Sequence, residues 1–240
     1  LRIYALGKQS FWIDEAFTIN ASEAILKKGV PILESGFWYI SGILNSYITA
    51  VSLALFNFLG ANFAARLPSV IFGTLTIWLV YLFGTKLVNK KVGLISAFFV
   101  AFSVWEIAWS RQARMYQQFQ FFYILSLYFF YNFIENKNLK YLLFALASTF
   151  LTILSHSLGV TLILIFILYA LIMLIKKENI FKDMLICLKR YIQHIKNKKY
   201  LSYLILISFI VCTTILAIIG YKTIINYNFV KKDYFDLYLY

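Results

Sequence analysis

The chain has 240 residues, of which 62% are hydrophobic, 20% are aromatic and only 14% are charged. A soluble domain carries about 45–50% apolar and roughly 25% charged residues, because it must cover itself with polar surface. This composition therefore excludes a soluble enzyme, a disordered chain and a disulfide scaffold. It predicts an integral membrane protein. The net charge of +13 therefore lies on an apolar background rather than on a water-soluble fold of the kind that binds nucleic acid, and no nucleic-acid partner is expected.

Residues 1–65 are predicted to form an outer loop with juxtamembrane helices. A short helix is expected from Glu15 to Lys28, because apolar residues recur on one face and Gly29 and Pro31 follow it. The stretch Ile40–Leu59 is long enough to cross a bilayer, but six Ser, Thr and Asn residues interrupt it. This mixed composition favours a helix that lies at the membrane interface.

Six later stretches approach the roughly 20 apolar residues that a membrane span requires. They are Leu67–Leu87, Val92–Trp109, Phe119–Ile134, Tyr141–Ser155, Leu158–Ile175 and Leu201–Gly220. The predicted domains are thus a transmembrane bundle core at 66–175, a basic cytoplasmic loop at 176–200, a further transmembrane helix at 201–220 and an outward segment at 221–240. We expect the chain to be a fragment, since it begins without an initiator Met and stops in a polar-aromatic stretch.

Lysine-rich loops predict the orientation of these spans. The loops Thr85–Lys91, Glu135–Lys140 and Lys176–Tyr200 all face one side if six spans run from Leu67. The positive-inside rule places that side in the cytoplasm. Seven of the ten acidic residues then lie outside or at the outer edge. The sequence therefore predicts a multi-pass protein of the plasma membrane whose functional groups face outward.

The first outer loop carries an acidic pair, Asp14 and Glu15, directly after a tryptophan. An ordinary interpretation makes Asp14 the N-cap of the helix and Glu15 a first-turn acid favoured by the helix dipole. The second outer loop carries Arg111 and Arg114, which are three apart. On one helical face they can clamp an anionic group, or they can simply reach from a helix end to water.

Two further residues are candidates because of their positions. Glu106 is an ionisable residue inside an apolar span, which is a functional suspect by default, and Arg111 or Arg66 is its expected partner. His156 lies in a tight outer turn, where a solvated side chain is the plainer interpretation. Carboxylates and arginines on one face, beside lipid, suggest a general base with a phosphate clamp.

Three runs of residues carry a family resemblance: Trp12–Ala16, Ala65–Ser69 and Trp109–Tyr116. In this order and spacing they resemble the bacterial and archaeal relatives of protein O-mannosyltransferases, membrane glycosyltransferases of the GT-C fold that are grouped with the lipid A aminoarabinose transferase. The resemblance covers about residues 1–175. It implies an all-α, polytopic transmembrane helix bundle with interfacial helices in the first outer loop. It also implies transfer of a sugar from a polyprenyl (dolichyl)-phosphate monosaccharide to a protein, lipid or glycan acceptor on the outer face.

The same resemblance implies roles for single residues. Asp14 would be the base of an inverting attack and Glu15 would orient it or the acceptor. The expected donor-side residues are Arg66, Glu106, Arg111, Arg114, Tyr116 and His156. Related transferases often carry a second acid in the second outer loop, where this chain has Met115 and Tyr116. No metal-ligand spacing is seen in the sequence, although a divalent metal stays an open alternative.

A non-enzymatic polytopic protein, such as a lipid-linked sugar flippase or a transporter, is the competing hypothesis. Transporters place charged residues near the bilayer midplane and often repeat their halves. This chain shows no repeat and places its charges at the outer edge, which favours the transferase. A separation of about 10 Å or less between Asp14 and the Arg111–Arg114 pair, in one outward cavity, distinguishes the two hypotheses. A purely structural membrane subunit would lack such a cavity.

Overall fold

The computed structural model describes residues 1–175, and every named element within them is a helix. The all-α fold class is therefore confirmed for this part of the chain. The predicted features at 176–200, 201–220 and 221–240 lie outside the described residues. The helices are α1 (Ile13–Lys28), α2 (Ile43–Phe56), α3 (Ala61–Leu87), α4 (Lys90–Phe102), α5 (Val104–Ser110), α6 (Tyr116–Asn136), α7 (Leu139–Ser155) and α8 (Thr161–Ile175), with 3₁₀ turns at Asn57–Leu59 and Ser157–Val160.

The predicted first helix forms, and it begins two residues earlier than expected. It ends at Gly29, whose φ of +76° is a left-handed conformation that glycine adopts without strain. The chain then turns back through a hairpin at residues 31–39, in which Ile32 and Trp38 form an antiparallel bridge. α2 follows within the stretch that was expected to lie at the interface.

A proline explains how α2 is attached to α3. Pro68 lies inside α3 and has no N–H, so the carbonyl of Ala64 lacks its helical donor. The Ser52 hydroxyl on α2 donates to that carbonyl at 2.6 Å. This hydrogen bond holds α2 against the first turns of α3, where Arg66 lies.

Among the described helices, α3 is long and apolar enough to cross a membrane. Helices α4 and α5 pass the same test only when they are counted together as one span, which bends by 60° between them. The predicted span Val92–Trp109 is therefore not one continuous helix: it breaks at Ser103, whose hydroxyl accepts the Glu106 N–H and starts a new helix. By length and composition the described residues thus supply one span or two, and the polytopic bundle stays a prediction.

Small and hydroxylated residues bring the helices close together. The Ser126 hydroxyl on α6 donates to the Ala145 carbonyl on α7 at 3.0 Å and lies 2.6 Å from the Thr149 hydroxyl. A Cβ added at Gly84 on α3 would lie 2.9 Å from the Cα of Gly93 on α4. Interhelical hydroxyl bonds and glycine contacts of this kind are typical of helices that pack within a bilayer.

The helices have two chemically different ends. At one end, Lys86 in the last turn of α3 and Glu135 near the end of α6 form an ion pair, so the α3–α4 and α6–α7 connections lie side by side. This contact agrees with the prediction that the two lysine-rich loops share a face. The start of α3, the α5–α6 loop and the α7–α8 turn carry the arginines and the histidine of the candidate site.

Candidate active site

A buried ion pair forms the base of the site. Glu15 is fully buried, and its carboxylate accepts two hydrogen bonds from Arg66 at 2.8 Å each. It also accepts the N–H of Ala113 at 2.7 Å and the N–H of Trp12 at 3.0 Å. Four donors saturate a carboxylate. The pair therefore joins the start of α1, the start of α3 and the α5–α6 loop.

Arg66 is saturated in the same way. Its side chain is 3% exposed, and the three N–H groups that do not contact Glu15 donate to the carbonyls of Leu6, Gln9 and Ser10. A guanidinium has five N–H donors, and all five are used. Arg66 therefore has no free donor for a phosphate, although the sequence suggested it as a phosphate ligand.

The environment of Glu15 sets its protonation state. Burial raises the pKa of its carboxyl, but the hydrogen bonds from Arg66, Ala113 and Trp12 together outweigh burial and hold the pKa below its ordinary value. Glu15 is consequently ionised at neutral pH and enclosed by donors. This geometry suits a residue that holds its neighbours in place.

Asp14 has the opposite surroundings. The N-cap of α1 is Trp12, so Asp14 does not cap the helix, and its side chain is 68% exposed. A nitrogen of Arg114 lies 3.8 Å from its carboxylate, and another donates to its backbone carbonyl at 2.8 Å. This separation meets the 10 Å part of the criterion for this arginine, and the shared outward cavity stays a prediction. An exposed carboxylate thus lies beside a guanidinium whose side chain is only 11% exposed.

Arg114 has one donor that the protein does not satisfy. Its Nε is buried without a hydrogen-bond partner, and its guanidinium lies 5.7 Å from the ring centre of Tyr116. An unpaired buried donor costs about 1–3 kcal/mol and requires an explanation, which a bound ligand can supply. Arg114 is therefore the arginine of the predicted set that lies beside Asp14 and has an unpaired donor.

Aromatic contacts connect Arg114 to His156. The Tyr116 ring lies 4.5 Å from the ring of Trp109 and 6.0 Å from the ring of His156. His156 accepts the Leu158 N–H through Nδ1 at 3.1 Å, so a neutral imidazole carries its proton on Nε2 as a donor. The structure thus brings Asp14, Arg114, Tyr116 and His156 into one continuous set.

Arg111 lies apart from that set. The expectation that Arg111 and Arg114 share a helical face is wrong, because α5 ends at Ser110 and both arginines lie in the loop before α6. Arg111 instead donates to the backbone carbonyls of Leu1 and Tyr4. Its visible contacts therefore hold the N-terminal segment against the loop.

Glu106 also has partners that the sequence did not suggest. Neither Arg111 nor Arg66 pairs with it, so that prediction is wrong. Its carboxylate accepts hydrogen bonds from Gln117 at 3.0 Å and from Gln120 at 2.9 Å. These contacts fix the first turns of α6, which begins at Tyr116, against α5.

Two residues of this region were missed by the sequence analysis. The Tyr39 hydroxyl accepts a hydrogen bond from Arg114 at 3.1 Å, and Arg2 donates to the carbonyls of Val100 and Glu106 beside the helix bend. Both act across large sequence separations, and no local motif marks either. The sequence therefore offers no local signal for either residue.

The part of the chain that the structure describes contains no group of three or more His, Cys, Asp or Glu residues placed to hold a metal ion. Asp14 and Glu15 are adjacent in sequence, but the Glu15 carboxylate is already saturated by protein donors. The residues that could contact a ligand are consequently Asp14, Arg114, Tyr116 and His156.

One family of known proteins matches the chain. The family model described as dolichyl-phosphate-mannose-protein mannosyltransferase matches residues 41–192, more than half of the chain. The match includes Arg66, Arg114 and His156, and the acidic pair precedes it. No curated protein and no solved structure matches the chain. The chain belongs to the dolichyl-phosphate-mannose-protein mannosyltransferase family, whose members are membrane-integral glycosyltransferases that use a dolichyl-phosphate sugar.

Proposed function

We propose that this protein transfers a sugar from a polyprenyl (dolichyl)-phosphate monosaccharide to a hydroxyl group of a protein, lipid or glycan acceptor on the outer face of the membrane. The observation that carries the proposal is the exposed Asp14 carboxylate, 3.8 Å from the guanidinium of Arg114, whose Nε has no hydrogen-bond partner. A base beside a cation suits a reaction in which one group loses a proton while another gains negative charge.

Asp14 is the general base of this reaction. An acceptor hydroxyl is a poor nucleophile, so Asp14 takes its proton as the oxygen bonds to the anomeric carbon of the donor. The bond between that carbon and the phosphate oxygen breaks, and its electron pair leaves with the lipid phosphate. Because the attack comes from the side opposite the phosphate, the configuration at the anomeric carbon inverts.

Arg114 stabilises the leaving phosphate. The phosphate gains negative charge as the bond breaks, and preorganised donors aimed at that charge lower the barrier. Tyr116 and the Nε2 side of His156 extend the same surface away from Asp14. Arg111 acts from the neighbouring loop position, where its side chain holds the N-terminal segment, and is a positioning residue.

The remaining candidates are positioning residues. Glu15 and Arg66 hold the start of α1 against the loop that carries Arg114, and Asp14 is the residue directly before Glu15. Glu106 acts through Gln117 and Gln120 on the start of α6. This assignment replaces the earlier role of Arg66 as a phosphate ligand, since its donors are all taken.

We place the helices from α3 onward across the plasma membrane, with the lysine-rich connections in the cytoplasm and the site outside. Large apolar side chains are exposed along α3, α4 and α8, such as Trp78, Phe98 and Leu168, as lipid-facing residues are. A flippase or transporter would instead require charges at mid-helix depth. The Asp14–Arg114 cluster lies at helix ends, which supports the transferase.

Substitution of the base tests the proposal. Asp14→Asn in a full-length protein, reconstituted with a polyprenyl-phosphate sugar, should lower the transfer rate by about 10²–10⁴-fold, because amides do not accept the proton. Thermal unfolding should be unchanged, because the Asp14 side chain is exposed. Glu135→Gln, an exposed glutamate at the opposite end, is the matched control and should retain full transfer. Full transfer by Asp14→Asn at normal expression would disprove the assignment of the base.

A further inference from the structure

Two helices begin with lysines at the end of the molecule opposite to the candidate site. Lys90 and Lys91 are the first two residues of α4, and Lys140 is the second residue of α7. In each helix the side chain of the preceding asparagine accepts an N–H of the first turn, so both helix starts are well defined. Neither helix has an acidic residue in its first turn. These three lysines are called the basic patch below.

The position of the basic patch is unfavourable for the helices that carry it. The start of a helix bears partial positive charge, so the helix dipole repels a lysine there and attracts one near the helix end. α1 has the favourable arrangement, with Asp14 and Glu15 in its first turn. Its lysines, Lys27 and Lys28, lie in its last turn. The basic patch reverses this order, and departures from local preference of this kind are expected at functional sites.

The protein offers the basic patch no countercharge in the part that the structure describes. Within residues 1–175, Glu135 is the only acid at this end, and it is paired with Lys86. That ion pair holds the connections before α4 and α7 side by side. The three lysines of the basic patch are exposed, and none of them takes part in an ion pair among the described residues. A bound anion would supply the missing negative charge.

Exposed apolar side chains adjoin these lysines. Leu87 and Val88 precede the lysine pair of α4, and Leu94 follows it, and all three side chains are exposed. The ammonium of Lys140 lies 5.6 Å from the ring centre of Phe144, which is exposed as well. A soluble anion would leave this apolar surface in water. A phospholipid carries an anionic headgroup and apolar acyl chains in one molecule, so it matches both parts of the surface.

We infer that the basic patch binds the headgroups of anionic phospholipids in the leaflet on its side of the membrane, while their acyl chains contact the neighbouring apolar residues. The inference rests on the proposed placement of the helices from α3 onward across the membrane. It does not depend on the transfer reaction. The headgroup phosphates lie at the first turns of α4 and α7 and offset the repulsion between their lysines and the helix dipoles.

The test measures binding of phosphatidylglycerol, an anionic phospholipid, to the full-length protein in a neutral detergent. Phosphatidylcholine, which has no net charge, and inorganic phosphate, which has no acyl chain, are the comparison ligands. Lys90→Gln/Lys91→Gln removes two charges of the basic patch. Lys27→Gln/Lys28→Gln is the matched control, because it removes an adjacent pair of exposed lysines from the end of α1.

We expect phosphatidylglycerol to raise the thermal unfolding temperature of the unsubstituted protein more than phosphatidylcholine does. Lys90→Gln/Lys91→Gln should weaken phosphatidylglycerol binding by about tenfold or more, because both lysines attract the headgroup. Without lipid, the same variant should unfold at the same or a higher temperature, since it removes two charges that the helix dipole repels. Lys27→Gln/Lys28→Gln should bind phosphatidylglycerol as the unsubstituted protein does.

Four results would contradict the inference. Equal weakening by both double variants would show attraction to net charge rather than to the basic patch. Equal binding of the two phospholipids would remove the role of headgroup charge. Displacement of phosphatidylglycerol by inorganic phosphate at constant ionic strength would make a soluble anion the ligand. A lower unfolding temperature of Lys90→Gln/Lys91→Gln without lipid would give these lysines a structural role instead.

The outcome is separate from that of the proposed function, because none of these measurements requires sugar transfer. A full-length protein that binds phosphatidylglycerol through the basic patch but transfers no sugar would support this inference and refute the proposed function. Sugar transfer without selective binding of phosphatidylglycerol would do the reverse.

Discussion

Two glutamate–cation pairs lie at opposite ends of the described helices, and they differ in almost every physical respect. The side chains of Glu15 and Arg66 are 0% and 3% exposed, whereas those of Glu135 and Lys86 are 38% and 39% exposed. In the buried pair, the Glu15 carboxylate accepts four hydrogen bonds and all five N–H donors of Arg66 are used. The exposed pair has, apart from its own contact, one hydrogen bond from the hydroxyl of Tyr131.

The difference shows where the molecule needs fixed geometry. A buried ion pair is stabilising only when its desolvation is offset by complete hydrogen bonding. Glu15 meets this condition through hydrogen bonds from Arg66 and Ala113, which lie 51 and 98 residues away in sequence. The residue before Glu15 is the proposed base, and the residue after Ala113 is the proposed phosphate ligand. The buried pair thus sets the distance between the two catalytic candidates.

The largest effect is expected from Glu15→Gln. The substitution leaves the Arg66 guanidinium buried without a countercharge and should lower the free energy of unfolding by about 3–5 kcal/mol. Chemical denaturation in detergent micelles measures this loss. The double variant Glu15→Gln/Arg66→Met removes the charge as well and should be less destabilised than the single variant. Equal stability of the single variant and the unsubstituted protein would show that the pair contributes nothing.

Arg66→Lys should have the next largest effect. Lysine keeps the charge but has three donors and no planar fork, so at least two of the five hydrogen bonds are lost. We expect a loss of about 2 kcal/mol in unfolding free energy, since each unpaired buried group costs about 1–3 kcal/mol. The kcat of transfer should fall while the KM for donor stays unchanged, because Arg66 positions Asp14 and does not bind phosphate. A rise in donor KM alone would restore Arg66 to the phosphate site.

Lowering the pH should reduce the folding stability that the same pair provides, and this effect should be smaller. The pKa of Glu15 lies below its ordinary value in the folded protein. A depressed pKa contributes stability above the unfolded value of about 4.3, and this contribution is lost as the pH falls through the folded pKa. Thermal unfolding temperatures below about pH 4.3 should therefore fall more in the unsubstituted protein than in Glu15→Gln. Parallel pH profiles of the two proteins would contradict this expectation.

The sequence predicted the elements better than the contacts between them. The helix after Trp12, the end of α7 at Ser155 and the helix within Ile40–Leu59 follow from local composition, and all three appear. The bend at Ser103 was missed because Arg2 stabilises it from a distant segment. The expectation that Arg111 and Arg114 share a helical face was also wrong, since the Ala113 N–H is bound to Glu15 rather than to a helical carbonyl.

In the candidate site, too, the sequence predicted the residues better than the contacts between them. Asp14, Arg114, Tyr116 and His156 were all marked by residue type and loop position. Which arginine faces Asp14 could not be predicted, because it depends on the saturation of Arg66 by carbonyls of Leu6, Gln9 and Ser10. Only the three-dimensional structure shows which donors of Arg66 are already used, and these hydrogen bonds make it a positioning residue rather than a phosphate ligand.

Lys86→Gln should have the smallest effect. Both partners of the exposed pair are more than a third exposed, so water and salt screen their attraction, and each side chain loses conformational freedom when they pair. We expect no change in unfolding temperature or in transfer rate, and the same for Glu135→Gln, when both are compared with Glu15→Gln in one detergent. A loss as large as that of Glu15→Gln would mean that bilayer or a neighbouring segment covers this end of the protein. In that case burial in the intact membrane, rather than location at the site, would explain the difference between the two pairs.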